Sequence, residues 1–284
     1  MQRKFVRTDL ALDAHEKHSQ ALGDISGAAL KKFDIRGFTV TELNISSPDA
    51  SNLLCKPIGN YYTIEIKKFI ERRENSFTDA AETVAELLRR FEAVANAGSF
   101  LIACLGNEKI TPDAIGPITA DSLIVTRHLI SSAPETFASF SSVAVLRTGV
   151  LGTSGIESAD SLKAICREIK PDCVIAVDAL ASWELERLCK TVQLCDSGIS
   201  PGSGVGNNRA QLNSETLGIP VIAMGVPTVI DAAAFTDEES ATGLFVTPRN
   251  IDELVSSVSR LIAYGINIAL HDGLTVSDID LLVE

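Results

Sequence analysis

The chain has 284 residues, of which 45% are hydrophobic and 22% are charged, proportions that are typical of a globular protein. This length can form one large α/β domain or two small ones. The net charge of −12 argues against nonspecific binding to nucleic acid or to an anionic membrane. No apolar run approaches the length of a membrane span, and the N-terminus lacks the apolar stretch of a signal peptide.

The six cysteines contain no CxxC pair, and no histidine lies at metal-ligand spacing from them. This pattern argues against a zinc site. Several of the cysteines lie in apolar runs, where a free cysteine behaves as a small hydrophobic residue. We therefore expect a reduced, cytosolic protein that holds no metal and no cofactor.

The first third of the chain predicts an arm, two strands and a helix. Residues 1–35 are polar and charged, and we expect them to be a loosely docked arm. Alternating apolar and polar residues predict strands at 38–43 and 61–66. Asp79, with Glu82 three residues later, has the pattern of a capping box that opens a helix, and Gly98 would end that helix.

The remainder alternates short apolar runs with helical patterns. Strands are predicted at 100–105, 143–146, 173–177, 191–195 and 220–224, and helices at 120–130, 159–169, 184–188 and 251–270. Alternation of this kind is typical of βαβ units. We therefore predict an α/β fold in one domain, with a mostly parallel, twisted sheet flanked by helices.

A buried strand that reaches a carboxylate is the first candidate for chemistry. The run from Cys173 to Val177 is apolar and ends at Asp178. Ligands bind at the carboxyl ends of strands in open parallel sheets, and an acid at the rim of the core can have a raised pKa. The alternative is that Asp178 caps the following helix, a position that Asp favours.

A second carboxylate follows another buried strand. The loop 106–117 contains Asp113 together with two glycines and two prolines, which fix an unusual backbone path. If the two strands are adjacent, Asp113 and Asp178 could share a proton and activate a water molecule. The alternative is a simple turn that leads into an Asp-capped helix.

Two glycine-rich loops, 148–157 and 196–207, complete the candidate site. Neither matches a P-loop or a dinucleotide fingerprint, so main-chain binding of an extended peptide is the better interpretation. Ser203 lacks the GxSxG spacing of a serine hydrolase. A metal site built from His128, Asp113 and Glu157 is a further alternative.

Motifs along nearly the whole chain closely resemble the germination protease (spore protease) family of endospore-forming bacteria. The resemblance rests on Arg-Thr-Asp-Leu-Ala at 7–11, Lys-Pro-Ile-Gly-Asn at 56–60, Thr-Pro-Asp-Ala-Ile-Gly-Pro at 111–117, Thr-Arg-His-Leu at 126–129, Val-Asp-Ala-Leu-Ala at 177–181, Asp-Ser-Gly-Ile at 196–199, Pro-Gly-Ser-Gly-Val-Gly-Asn at 201–207, the run 225–232, Val-Thr-Pro at 246–248, and Asn267, Ala269, Leu270 and His271.

The resemblance implies an atypical aspartic endopeptidase, related in fold to the hydrogenase maturation proteases with their phosphorylase/hydrolase-like architecture. It would degrade small acid-soluble spore proteins during germination, in the cytoplasm of the forespore or spore core. The catalytic pair would be Asp113 and Asp178. The resemblance also implies a homotetramer made as a zymogen, which would cleave itself between Asp9 and Leu10. Residues 1–9 would then be a pro-segment and residues 10–284 the peptidase domain.

On this interpretation the glycine-rich loops would flank the substrate, with Gly152, Gly155, Ser203 and Gly204 as its contacts. The chain departs from the family pattern in three places. Ser182-Trp183-Glu184 replaces a segment that usually carries an arginine, the segment 231–246 is short, and so is the pro-segment. Alternatives of other classes are a metal-dependent protease of the same fold, a catalytically inactive α/β binding protein and a nucleotide-binding regulator.

Overall fold

A single mixed sheet runs through the structure, a computed structural model that describes residues 8–206, 209–235, 241 and 243–283. Its strands are β1 (Ala28–Ile35), β2 (Phe38–Ile45), β3 (Gly59–Glu65), β4 (Ser99–Leu105), β5 (Ser142–Gly149), β6 (Cys173–Ser182), β7 (Thr191–Cys195), β8 (Val221–Asp231) and β9 (Phe245–Val246). They lie in the order β1-β2-β3-β7-β8-β6-β4-β5, with β9 paired to β8.

The α/β class predicted from the sequence is confirmed, but the sheet is mixed rather than mostly parallel. Pairing is parallel along β8-β6-β4-β5. Pairing is antiparallel along β1-β2-β3-β7-β8. The antiparallel half begins with a hairpin whose two loop residues, Arg36 and Gly37, both have positive φ. Two such residues are typical of a tight β-hairpin turn, although Arg-Gly is not one of its usual sequence signals.

Helices cover both faces of the sheet. They are α1 (Ala11–Leu22), α2 (Pro48–Leu54), α3 (Lys67–Ile70), α4 (Ser76–Arg89), α5 (Glu92–Ala95), α6 (Ile115–Thr119), α7 (Arg127–Ser132), α8 (Leu151–Ser154), α9 (Ser158–Ile169), α10 (Ser214–Leu217), α11 (Ile251–Leu270) and α12 (Val276–Val283). The largest apolar cluster packs α4, α6 and α11 against one face of the sheet. On the other face, one smaller cluster contains α9 and α10, and a second contains α1 and α2.

Residues 8–35 are ordered structure, so the prediction of a loosely docked arm is wrong for them. They form α1 and β1, and the first turn of α1 is buried. Asp13 explains why a polar segment docks here, because its buried carboxylate accepts hydrogen bonds from the Trp183 N–H (2.6 Å) and the Ser182 hydroxyl (3.0 Å). Residues 1–7, which make up most of the predicted pro-segment, lie outside the described residues.

Several predicted helix boundaries are also wrong. Helix α4 begins three residues before Asp79, and it ends at Arg89 rather than near Gly98. The helix predicted at 120–130 is a single 3-10 turn at 120–122 followed by α7, and the one predicted at 184–188 is a 3-10 turn at 185–187. Helix α11 matches its predicted bounds, but every residue from Leu261 to Leu270 is buried, so that half is not amphipathic.

The described residues contain no helix that is both long and apolar enough to cross a membrane. All six cysteines are free, and five of them are buried, with Cys55 as the exposed one. Burial raises the pKa of the Cys104, Cys173 and Cys189 thiols to about 12, which keeps them protonated at neutral pH. These cysteines therefore act as apolar packing groups.

Candidate active site

Asp178 lies inside a strand. The sequence had suggested that it ends a strand or caps a helix. Strand β6 continues four residues further to Ser182, because the apolar residues after Asp178 still pair with β8. The neighbouring strand β4 stops earlier, and its last pair with β6 joins Cys104 to Val177. Asp178 therefore lies level with Leu105, the last residue of β4, where the sheet opens into a crevice.

The loop after β4 carries Asp113 into the same crevice. The Asn107 N–H donates to both the Asp113 carboxylate (2.9 Å) and the Asp113 carbonyl (3.0 Å). Gly106 makes this turn possible, because its φ is +108° and a Cβ there would lie 2.0 Å from the Asp113 carbonyl oxygen. On the other side, the Thr228 hydroxyl donates to the Pro112 carbonyl (2.6 Å). The backbone on both sides of Asp113 is thus fixed by hydrogen bonds.

A second glycine allows helix α6 to press against the strands. A Cβ on Gly116 would lie 2.2 Å from the Leu105 carbonyl oxygen and 2.6 Å from the Val177 carbonyl oxygen. Only glycine permits such an approach of backbone to backbone. The close contact fixes α6, and hence the preceding residue pair Asp113-Ala114, against β4 and β6.

Asp113 and Asp178 line one cavity of about 610 Å³. Burial raises the pKa of Asp113 to about 6, against the opposing effect of the Asn107 N–H. Burial raises the pKa of Asp178 well above its usual value, and the nearby charge of Asp113 raises it further. Two carboxyl groups in such an environment can hold one proton between them near neutral pH. This arrangement can supply a base and an acid together.

Asp9, the predicted self-cleavage residue, lines the same cavity. Its N–H donates to the Ala181 carbonyl (2.9 Å), and its carboxylate accepts from the Ala181 N–H (2.8 Å) and the Ser203 hydroxyl (2.6 Å). Gly204 forms the floor beneath it, because a Cβ at that position would lie 2.1 Å from the Asp9 carboxylate. Leu10, on the other side of the predicted bond, is fully buried.

The other glycine-rich loop lies further from Asp9. Gly152 is on α8 and lines the large cavity, and Gly155 ends α8 in the left-handed conformation. A Cβ added to either glycine would meet no atom within 4 Å. Of the four predicted substrate contacts, the structure thus brings Ser203 and Gly204 against Asp9 and leaves Gly152 and Gly155 in open space.

The alternative metal site is not assembled. His128 lies on an exposed face of α7, and Glu157 forms an ion pair with Arg209 (3.0 Å). In the part of the chain that the structure describes, no three His, Cys, Asp or Glu side chains are grouped so that they could hold a metal ion.

The segment Ser182-Trp183-Glu184 lacks the arginine that the family pattern led us to expect, but an arginine nearby makes a buried contact that was not predicted from the sequence. Arg187, four residues after the position of Trp183, forms an ion pair with the buried Asp13. The Thr8 hydroxyl also donates to Asp13 (2.8 Å). About 170 residues separate Asp13 from Ser182, Trp183 and Arg187, so no local pattern could have revealed these contacts.

Two sequence comparisons place the chain among known proteins. The family model described as Germination protease, Peptidase_A25, matches residues 6–242. The germination protease of Caldanaerobacter subterraneus subsp. tengcongensis is 36% identical over 98% of both chains, and that of Clostridium tetani is 37% identical over 97% of this chain and 98% of its own. The germination protease of Bacillus cereus (strain ATCC 10987) is 42% identical over 82% of this chain and 65% of its own.

Among solved structures, a NiFe hydrogenase maturation protease from Thermococcus kodakarensis aligns with 62% of this chain and 96% of its own at 20% identity. Its TM-score of 0.37 is too low to establish a common fold. The sequence matches, by contrast, extend over nearly the whole chain at more than a third identity. The chain therefore belongs to the germination protease family and is a peptidase.

Proposed function

We propose that this peptidase is an aspartic-type endopeptidase that cleaves small acid-soluble spore proteins in the spore core during germination, and that it first cleaves its own chain after Asp9. The observation that carries the proposal is the meeting of three groups in one cavity. The buried Asp178 and the half-buried Asp113, both with raised pKa values, line it together with Asp9. The substrate class follows from the family.

The two aspartates would divide the proton transfers. Asp178 is 4% exposed and is influenced by the charge of Asp113, so it would hold the proton, and the partly exposed Asp113 would be the ionised base. Asp113 would accept a proton from water as the water oxygen attacks the peptide carbonyl carbon. Asp178 would donate its proton to the departing amine nitrogen when the C–N bond breaks. Proton transfer from Asp113 to Asp178 would then restore the starting state.

The contacts of Asp9 support a preference for an acidic residue before the cleaved bond. Its carboxylate accepts two hydrogen bonds, from the Ala181 N–H and the Ser203 hydroxyl. An isosteric amide could not accept both bonds equally, because it has one acceptor oxygen. Ser203 and Gly204 would form this pocket in substrate complexes too, and the loop with Gly152 and Gly155 would form the outer wall of the groove.

Self-cleavage would make residues 1–9 a pro-segment and residues 10–284 the mature enzyme. The docking of Asp9 supports this, because the chain already occupies the acidic-residue pocket that a substrate would need. Removal of the segment would vacate the pocket. A homotetrameric assembly is part of the same proposal and rests on the family resemblance alone.

Cleavage of a purified small acid-soluble spore protein tests the proposal. We expect the wild type to cleave it, and Asp113→Asn and Asp178→Asn each to reduce kcat by about 10²–10⁴-fold, the usual contribution of a general acid or base. Asp160→Asn is the matched control, because Asp160 is exposed on α9. Undiminished cleavage by either site variant would contradict the proposal. Loss of activity with a chelator, restored by added metal, would favour the metal-dependent alternative.

A further inference from the structure

The side chains of Lys56 and Gln193, which take no part in the proton transfers proposed for Asp113 and Asp178, contact the main chain around Asp9. The Lys56 ammonium donates to the carbonyl oxygens of Thr8 (2.8 Å) and Asp9 (3.0 Å). The Gln193 side-chain NH₂ lies 3.5 Å from the Asp9 carbonyl oxygen, and its side-chain oxygen accepts from the Ala11 N–H (2.7 Å). The contacts therefore fall on both sides of the Asp9–Leu10 bond.

The position of Lys56 is fixed by its own backbone. The chain leaves α2 through Cys55 in the left-handed conformation. The Lys56 N–H then donates to the Ser51 carbonyl (3.2 Å), and the Ser51 hydroxyl donates to the Lys56 carbonyl (2.7 Å). Burial lowers the pKa of Lys56, whereas the carboxylate of Asp9 acts in the opposite direction. An ammonium removed from water in this way needs oxygen partners, and here they are peptide carbonyls.

The register of the sheet relates Gln193 to the catalytic pair. Gln193 of β7 and Asp178 of β6 are both paired in register with Gly225 of β8. Neighbouring strands lie about 4.8 Å apart, so the Cα atoms of Asp178 and Gln193 are separated by about 10 Å. Residues paired across strands point to the same face. The carbonyl that contacts Gln193 is thus held over the face of the sheet that carries Asp178.

We propose that Lys56 is a further catalytic residue, which binds the carbonyl oxygen of the scissile peptide bond, and that Gln193 positions the main chain on both sides of that bond. The inference rests on the proposed cleavage after Asp9 and extends it to substrates that occupy the same groove. When water attacks the carbonyl carbon, the C=O electron pair moves to oxygen, and the positive charge of Lys56 stabilises the resulting oxyanion. The electron pair on the oxyanion re-forms the C=O bond as the C–N bond breaks.

Substitution of Lys56 in the full-length chain tests the proposal. We expect Lys56→Met to lower kcat on a small acid-soluble spore protein by about 10²–10³-fold, as does loss of an oxyanion donor, with KM changed less. Lys56→Ala is expected to lose as much and to regain part of its rate when propylamine supplies the missing ammonium. Rescue by an amine distinguishes a chemical role from a structural one. Lys67→Ala is the control, since its side chain is 68% exposed.

Thermal unfolding of each variant separates loss of fold from loss of chemistry. Lys56→Met keeps most of the apolar stem, so we expect it to fold even if Lys56→Ala does not. A folded Lys56→Met variant with wild-type kcat would overturn the role of Lys56, while inactive Asp113→Asn and Asp178→Asn variants would leave the proposed function intact. Cleavage that persists in the aspartate variants would instead overturn the proposed function, and this inference with it.

Discussion

Asp178 and Gln193 are paired with the same residue, Gly225, from opposite sides. Because Gly225 has no side chain, it leaves space between the side chains of Asp178 and Gln193. Leu180 fills that space, because a Cβ on Gly225 would lie 2.5 Å from the Leu180 Cγ and Cδ1 atoms. Leu180 lines both the large cavity and the smaller one beside Lys56, so it forms part of the boundary between them.

Gly225→Ala is expected to reduce activity by displacing Leu180 into the site. A misplacement of about 1 Å near reacting groups can cost about 10²-fold in rate, and overpacking destabilises by about 1–3 kcal/mol. Steady-state cleavage and urea unfolding would measure both effects. In the double variant Leu180→Ala/Gly225→Ala the clashing atoms are gone, so part of the stability loss should be recovered. Additive losses would show that Leu180 does not mediate the effect.

Gly204→Ala is expected to block self-cleavage, because its Cβ would overlap the Asp9 carboxylate at 2.1 Å and the Ala181 Cβ at 2.6 Å. Gly152→Ala is the matched control, since an added Cβ there meets nothing within 4 Å. The intact mass of each variant after incubation reports the outcome. If both variants are processed at the wild-type rate, Gly204 does not shape the Asp9 pocket.

Asp113→Asn is expected to stabilise the protein at alkaline pH. The folded pKa of about 6 lies above the ordinary aspartate value of 3.8, so the folded state loses stability as pH rises from about 4 to 6 and remains less stable above that. Because Asp113 is partly exposed, we expect a gain on the order of 1–2 kcal/mol at pH 8.

Urea unfolding of unprocessed protein at pH 4 and pH 8 checks this prediction. The difference between wild type and Asp113→Asn should be much smaller at pH 4, where Asp113 is protonated in the folded state and only partly ionised in the unfolded state. A variant that is less stable than wild type at pH 8 would show that the ionised carboxylate is stabilised by its surroundings, contrary to the raised pKa.

Arg187→Met is expected to destabilise the docking of α1. The change would leave the Asp13 carboxylate, whose side chain is 0% exposed, without its ion-pair partner. Removal of one member of a buried pair costs about 3–5 kcal/mol. Arg147→Met is the control, because its pair with Asp121 is solvent-exposed and such pairs contribute about 0–1 kcal/mol. Equal unfolding free energies for the two variants would contradict the account of the Asp13 cluster.

Much of the sheet could be predicted from the sequence, because buried strands and a long apolar helix have strong local patterns. The runs at 100–105 and 191–195 and the helices at 159–169 and 251–270 lie within one residue of β4, β7, α9 and α11. The segment 8–35 could not be interpreted correctly. Its docking depends on Asp13 and on strand pairing with β2, and neither is visible in local polarity.

The candidate site was predicted only in part, for the same physical reason. Asp113 follows a buried strand and Asp178 follows an apolar run inside one, which are local signals, and the adjacency of β4 and β6 then brings the two residues together. Lys56 and Gln193 lie 47 and 184 residues from Asp9, so their contacts with it arise only from the fold. In the sequence alone, a polar residue inside a buried strand, such as Asp178, cannot be distinguished from one that ends the strand, because the pairing with β8 is not visible.

We expect Asp113 and Asp178 to act together in cleaving the bond after Asp9. Intact mass and N-terminal sequencing of purified wild type, Asp113→Asn and Asp178→Asn, incubated at mildly acidic pH, measure this cleavage. The wild type should lose residues 1–9 and begin at Leu10, and both variants should keep their full mass. Processing of either variant at the wild-type rate would show that the substituted aspartate is not catalytic.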